Sequence, residues 1–171
     1  NLHKAFDNFQ YKIFKKLEQR MLTAADSIVV LTNKLKNELE EIAKSKLCEI
    51  YVIPCCADYD HFRPISKSTR LEILEILNIP DDSFIIGYVG SIGSMYDLES
   101  FFKLVGLAQG NIENCYGLML TNDKTFAEDK LNDHMPIQFH DKVIIRSLSR
   151  NHINKYFGVI TASTIFLKNS Y

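Results

Sequence analysis

The sequence predicts an α/β chain built on parallel sheets. Two patterns carry this. Short apolar runs rich in β-branched residues, such as "SIVVL" at 27–31 and "FIIGYVG" at 84–90, are continuous rather than alternating, as strands covered on both faces are. Between them lie segments of helical periodicity, and strands alternating with helices at this spacing build βαβ units.

The elements follow in order. Leu2, Phe6, Phe9, Ile13, Leu17 and Met21 recur at helical spacing, so residues 3–22 are predicted to form an amphipathic helix. Lys4, Lys12, Lys15, Lys16 and Arg20 occupy its other face. "SIVVL" is the first strand. Thr32 suits the N-cap of a helix that turns Leu35, Leu39 and Ile42 inward. "EIYVI" at 49–53 is the second strand, stopped by Pro54. Residues 66–78 are helical, with Ser66 or Ser68 at the cap and Leu71, Leu74 and Leu77 on one face. "NIPDDS" breaks that helix. A second series runs strand "FIIGYVG", glycine turn "SIGSMYD", helix "LESFFKLVGLA", strand "YGLMLT", helix "KTFAEDKLN", strand "KVIIR", helix "RNHINKYF" and strand "STIFL". Pro54, Pro64 and Pro80 cluster where the pattern restarts, which puts a seam between about 54 and 83.

Composition narrows the function classes. The chain has 171 residues, 46% hydrophobic and 24% charged, with formal net charge −1. No basic block points to nucleic acid. No apolar run approaches the ~20 residues that span a bilayer. Four unpatterned cysteines and an amphipathic rather than apolar start fit a reducing, cytoplasmic setting. The first residues already read as mid-helix without an initiating Met, so a piece of a longer protein is expected.

Ligands of open parallel sheets sit outside the carboxyl ends of the strands. In "IIGYVGSIGS", Gly90 and Gly93 flank a turn between strand and helix, where backbone N–H groups and the helix start favour an anion. The plainer reading is a turn that needs glycine for its geometry. "TND" at 121–123 follows the next strand, and either caps a helix or presents Asn122 to a ligand. After "KVIIR", Arg146 could meet phosphate or stack on a base, or remain solvated. Cys55 and Cys56 are adjacent, so in extended chain their side chains diverge and no metal site is expected. Cys115 is expected to pack as a small hydrophobe. The five histidines are scattered, and no catalytic Ser/His/Asp or Cys/His set is legible.

In succession, "AADSIVVLT", "YVIPCCADYDHFRP", "FIIGYVGSIGSMYDLESFF", "YGLMLTND" and "VIIRSLSRNHINKYF" resemble the centre of a GT-B glycosyltransferase of the family 4 type. The resemblance implies parts of two Rossmann-like domains joined by a hinge: residues 1–64 from the acceptor-side domain and crossing segment, and 65–171 from the start of the nucleotide-sugar-binding domain. It implies a retaining hexosyl transfer from a nucleotide diphosphate sugar to a glycan or lipid-linked acceptor, with no cofactor. The donor diphosphate would lie on Gly90, Ser91, Ile92, Gly93 and Ser94, and the nucleotide on Asn122, Arg146, Ser147 and Leu148. Pro54, Asp58 and Phe62 match the family's crossing segment, where Asp58 would cap a turn and Phe62 would anchor the crossing, and Cys55–Cys56 replace its Asn-Gly. The family's arginine and lysine of the donor loop are Ser91 and Tyr96 here, and Thr161 holds an acidic place. The segment with two glutamates, expected after Tyr171, and the catalytic residues lie outside the sequence, so this piece alone is expected to be inactive. The lysine face of the first helix allows a peripheral contact with an anionic membrane. A nucleotide-sugar 2-epimerase of the same fold and a non-catalytic nucleotide-binding module are the alternatives.

Overall fold

The computed structural model describes residues 2–42 and 48–168, with the side chains of residues 2–8 and of Ile42 left out. The expected roles of Leu2, Lys4, Phe6 and Ile42 lie outside the described residues. The chain divides into two compact units, Asn1–Ala57 and Asp58–Tyr171.

The first unit contains α1 (Leu2–Ala24), β1 (Ser27–Val30), α2 (Asn33–Ile42) and β2 (Glu49–Val52). β1 and β2 pair in parallel from Ser27↔Glu49 to Val30↔Val52. Thr32 caps α2, its hydroxyl accepting from the N–H of Leu35 at 3.1 Å. Val30, Leu39 and Ile50 form a small core with Leu22, Ile28, Cys48 and Val52 against it. Two expectations fail within this unit. β1 is covered on one face only, since Val29 is 58% exposed and Leu31 is exposed beside it. Phe9, Ile13, Leu17 and Met21 of α1, and Leu35 of α2, are exposed as well. A two-stranded sheet with so few partners leaves these apolar faces without cover.

The second unit contains α3 (Lys67–Leu77), β3 (Phe84–Val89), α4 (Leu98–Gln109), β4 (Cys115–Leu120), α5 (Lys124–His134), β5 (Val143–Arg146), α6 (Arg150–Phe157) and β6 (Ala162–Ser163). A 3₁₀ turn, Ile137–Lys142, precedes β5 and was not expected. The strands form one parallel sheet in the order β5-β4-β3-β6. Side chains alternate across it, as the pleat requires. Ile86, Tyr88, Cys115 and Met119 pack with Phe101, Phe102, Val105, Ala127 and Leu131 of α4 and α5. Ile85, Leu118 and Leu120 pack with Ile73, Leu74 and Leu77 of α3, with Ile153 and Tyr156 of α6 alongside. The fold is thus α/β with Rossmann-like parallel sheets.

Ser66 caps α3, its hydroxyl accepting from the Thr69 N–H, and Asn78 ends it in the left-handed region with φ 54°. The buried stripe of α3 runs through Ile73, Leu74 and Leu77, and Leu71 is exposed, against expectation. Arg70 takes the edge of the stripe instead, donating to the Val159 carbonyl at 2.8 Å. The last strand is also displaced from the expected 163–167. Only Ala162 and Ser163 pair with β3, opposite Ile86 and Gly87, flanked by Thr161 N–H to the Ile85 carbonyl and Thr164 N–H to the Gly87 carbonyl, both 2.9 Å. Beyond Thr164 the chain leaves β3 for the loop before α4, where Asp97 N–H meets the Phe166 carbonyl at 2.9 Å.

Gly87 is fixed by packing. A Cβ there would lie 2.3 to 2.7 Å from three carbons of Ile160. Gly87→Ala should therefore cost about 1–3 kcal/mol by overpacking, and pairing it with Ile160→Ala should give less than the sum of the two single losses. Urea unfolding of the three variants checks this.

Candidate functional site

β3, β4 and β5 run parallel, so their carboxyl ends and the loops that follow share one edge of the sheet. Gly90 leaves β3 with φ +150°, a value that L side chains rarely adopt. Its N–H donates to the Leu120 carbonyl of β4 at 3.0 Å, and the space over its Cα is open. The turn then curls back, and its carbonyls are tied down. Tyr88 Oη donates to the Ser91 carbonyl at 2.9 Å, and Tyr96 N–H donates to the Gly93 carbonyl at 3.1 Å. Among the described residues, no protein acceptor is found for the N–H groups of Ser91, Gly93 or Ser94. The Ile92 N–H differs, because it donates to Oδ2 of Asp123 at 3.0 Å. Gly93 has no positive φ, and a Cβ there would meet only the Tyr96 ring at 3.8 Å.

α4 begins directly after this turn. Asp97 caps it, accepting from the Ser100 hydroxyl at 2.6 Å and the Ser100 N–H at 3.2 Å. Those hydrogen bonds, the hydroxyl's first, hold the Asp97 carboxyl below the ordinary carboxylate range, with Lys168 adding to the effect. Burial pushes the Tyr88 phenol up, and the neighbouring Tyr96 and Asp123 act in the same direction.

A cavity of ≈ 370 Å³ opens beside the turn. Phe62, Gly90, Ser91, Asn122, Leu148 and Arg150 are among the residues that line it. Thr121 N–H bonds the Arg146 carbonyl at 2.9 Å, which holds the ends of β4 and β5 together. The Ser147 hydroxyl donates to Oδ1 of Asn122 at 3.1 Å. Of the residues expected at a nucleotide, Asn122 and Leu148 line this cavity, and Ser147 supports Asn122 from outside it. Arg146 does not line it: its guanidinium turns back to the Ile145 carbonyl at 3.4 Å. Of the five turn residues, Gly90 and Ser91 face this cavity, while Ile92, Gly93 and Ser94 face a second one.

Five residues of the site are not singled out by the sequence. Asp123 precedes α5 yet makes no side-chain cap, because its carboxylate reaches the Ile92 N–H instead. Arg150 and Ile153, on the first turns of α6, form part of the cavity wall. His61 and Asn154 clasp the segment before α3 to α6. The His61 Nε2–H donates to the Arg150 carbonyl at 2.8 Å, and the Asn154 amide donates to the His61 carbonyl at 3.1 Å. Asp58 turns that segment, its carboxylate accepting from the His61 N–H at 3.1 Å, so Phe62 is presented to the cavity. Pro54, in the first unit, is exposed, and so are Cys55 and Cys56, both free thiols. Among the described residues no three His, Cys, Asp or Glu side chains gather as a metal site. Among them, too, no helix is long and apolar enough to cross a membrane.

No family model matches the sequence, and no curated protein does. Solved structures do match in fold. A glycosyltransferase from Rickettsia africae ESF-5 aligns with TM-score 0.61 and 19% identity, over 88% of this chain and 40% of its own. HepE from Anabaena, solved in complex with UDP and glucose, aligns with TM-score 0.65 and 10% identity, over 86% and 40%. WaaG, a glycosyltransferase involved in lipopolysaccharide biosynthesis, aligns with TM-score 0.56 and 14% identity, over 79% and 36%. At these identities the likeness is one of fold, that of the Rossmann-like domains of GT-B glycosyltransferases. The chain spans about 40% of the length of the first two.

The clasp predicts a local effect. His61→Ala removes the bond to the Arg150 carbonyl and loosens residues 58–63, so chymotrypsin should cut after the exposed Tyr59 several times faster than in the native chain. The melting temperature should fall by only a few degrees, since one hydrogen bond contributes about 1 kcal/mol.

Proposed function

We propose that this chain is the central part of a retaining glycosyltransferase, one that transfers a hexose from a nucleotide diphosphate sugar to a glycan or lipid-linked acceptor. The observation that carries the reading is the glycine turn. Among the described residues it leaves the backbone N–H groups of Ser91, Gly93 and Ser94 without protein acceptors, at the carboxyl end of β3, in a fold that matches glycosyltransferases. HepE was solved with UDP and glucose, which supports a nucleotide sugar as the donor class.

The chemistry follows from where charge develops. When the bond between the anomeric carbon and the diphosphate breaks, negative charge grows on the leaving phosphate. N–H groups held by a folded turn, ahead of the N-terminus of α4, meet that charge without reorganisation. In this reading Gly90 and Ser91 bring the backbone up to the diphosphate, and Ile92, Gly93 and Ser94 continue the turn. Asn122 and Leu148, with Ser147 behind Asn122, contact the nucleoside, and Arg150 takes the place first expected of Arg146. Residues 1–64 belong to the acceptor side and 65–171 to the donor side, with Pro54, Asp58 and Phe62 in the crossing between them. No cofactor is required. A cytoplasmic setting fits such a donor, and the exposed Lys12, Lys16 and Arg20 of α1 suit a contact with anionic lipid.

One observation bears on how tightly the turn would hold a diphosphate. The Asp123 carboxylate already occupies the Ile92 N–H, and it places a negative charge where the donor diphosphate would come. The same observation sets a test. Asp123→Asn keeps an oxygen that can accept from Ile92 and removes the charge, so calorimetry with UDP or GDP should show roughly fivefold tighter binding, the effect of about 1 kcal/mol. The 171-residue chain should bind these nucleotides only near millimolar and transfer no sugar, because orientation of donor against acceptor supplies as much as ~7–11 kcal/mol of the barrier. Micromolar binding with turnover by this chain would contradict that expectation, and unchanged or weaker binding by Asp123→Asn would remove Asp123 from the site.

A further inference from the structure

The adjacent thiols of Cys55 and Cys56 have no part in the site described above. Both are exposed and free. They lie in an exposed segment, 54–57, that belongs to no helix or strand. Its backbone is also untied. The Ile53 N–H donates to the Val30 carbonyl at 2.8 Å, and the next backbone bonds along the chain are those that the Asp58 carbonyl accepts from His61 and Phe62. Between them, no backbone hydrogen bond of Pro54, Cys55, Cys56 or Ala57 is found among the described residues. The other two cysteines are placed differently. Cys115 is buried, and Cys48 is partly buried against the small core of the first unit.

Two thiols supply too few ligands for a closed metal site, and among the described residues no further His, Cys, Asp or Glu side chains gather with them. They suffice for a disulfide. Across a trans peptide, neighbouring Cα atoms are about 3.8 Å apart, against about 4.4–6.8 Å in most disulfides. A ring closed between adjacent cysteines is therefore strained, and closing it needs a backbone free to rearrange. Residues 54–57 meet that need, since no ladder or cap breaks when they move. A strained disulfide is also a readily reduced one, of the kind that switches rather than staples. In a reducing setting it closes only when the thiol–disulfide balance shifts.

We propose that Cys55 and Cys56 form a reversible vicinal disulfide, with a small-molecule disulfide of the glutathione type as the oxidant. One cysteine thiolate attacks glutathione disulfide, whose S–S bond breaks and releases one glutathione thiolate. The second cysteine thiolate attacks the cysteine sulfur of the mixed disulfide and releases the other. Two protein thiols are oxidised and one glutathione disulfide is reduced to two glutathiones. The two thiol protons pass through solvent to the leaving thiolates. The ring fixes the dihedral angles of the chain that leads into the turn made by Asp58.

The test equilibrates the 171-residue chain with mixtures of reduced and oxidised glutathione, quenches with acid and alkylates the remaining thiols. Intact mass, and tandem spectra of the proteolytic peptide that carries Cys48, Cys55 and Cys56, read the outcome. As glutathione disulfide rises, the expected product has lost two hydrogens and retains no glutathione. It carries the alkyl group on Cys48 and on neither Cys55 nor Cys56. Cys48→Ala should give the same ring. Cys55→Ser and Cys56→Ser, each changing one exposed side chain, should stop at a mixed disulfide with one glutathione attached. Dithiothreitol should return the native chain to free thiols within minutes. The proposal is overturned if the native chain instead keeps glutathione on both cysteines, if it links two chains, if oxidation requires Cys48, or if Cys55 and Cys56 stay reduced at every ratio.

Discussion

The parallel pairing of β3 with β4 is the constraint on which the site depends. It extends from Phe84↔Cys115 to Val89↔Leu120 and is closed by the Gly90 N–H on the Leu120 carbonyl. This last bond carries the chain one residue past the strand with φ +150°, and only then does it turn. The ladder therefore decides where the turn begins, and the turn decides which N–H groups have no protein acceptor among the described residues. Parallel pairing of β4 with β5 brings Asn122 and Leu148 to the same edge. A sheet of mixed direction would send some of these loops to the opposite end.

What was legible in the sequence follows from the same constraint. Parallel strands buried on both faces must be apolar throughout, so "FIIGYVG" and "YGLMLT" stand out from their flanks. Where burial is one-sided the signal misleads. "SIVVL" has the composition of a central strand, yet Val29 and Leu31 are exposed in the two-stranded sheet. "STIFL" has strand composition too, but only Ala162–Ser163 pair, since the residues that follow are drawn to Met95 and Asp97. The sequence points to Leu71 for the stripe of α3 where the structure buries Ile73, because leucine and isoleucine are equally apolar and only the sheet chooses the phase.

The candidate site was legible at its turn and not at its supports. A glycine pair between strand and helix is a local pattern. The Asp123 carboxylate on the Ile92 N–H joins residues 31 apart, and the His61 clasp joins residues 89 and 93 apart. Asn and Asp before a helix read as caps from sequence alone, and nothing local distinguishes a cap from a long-range acceptor. Arg146 and Arg150 could not be ranked either, since the geometry after β5 decides which of them reaches the cavity.

If the turn at 90–94 binds a diphosphate through its backbone, bound UDP reveals it. The most direct measurement is a crystal structure of this chain grown with UDP at high concentration. Diphosphate oxygens are expected about 2.7–3.2 Å from the backbone nitrogens of the turn, Ser91 and Gly93 first, with the base in the cavity bounded by Phe62, Asn122 and Leu148. UDP bound elsewhere on the chain, with the turn left bare, would contradict it.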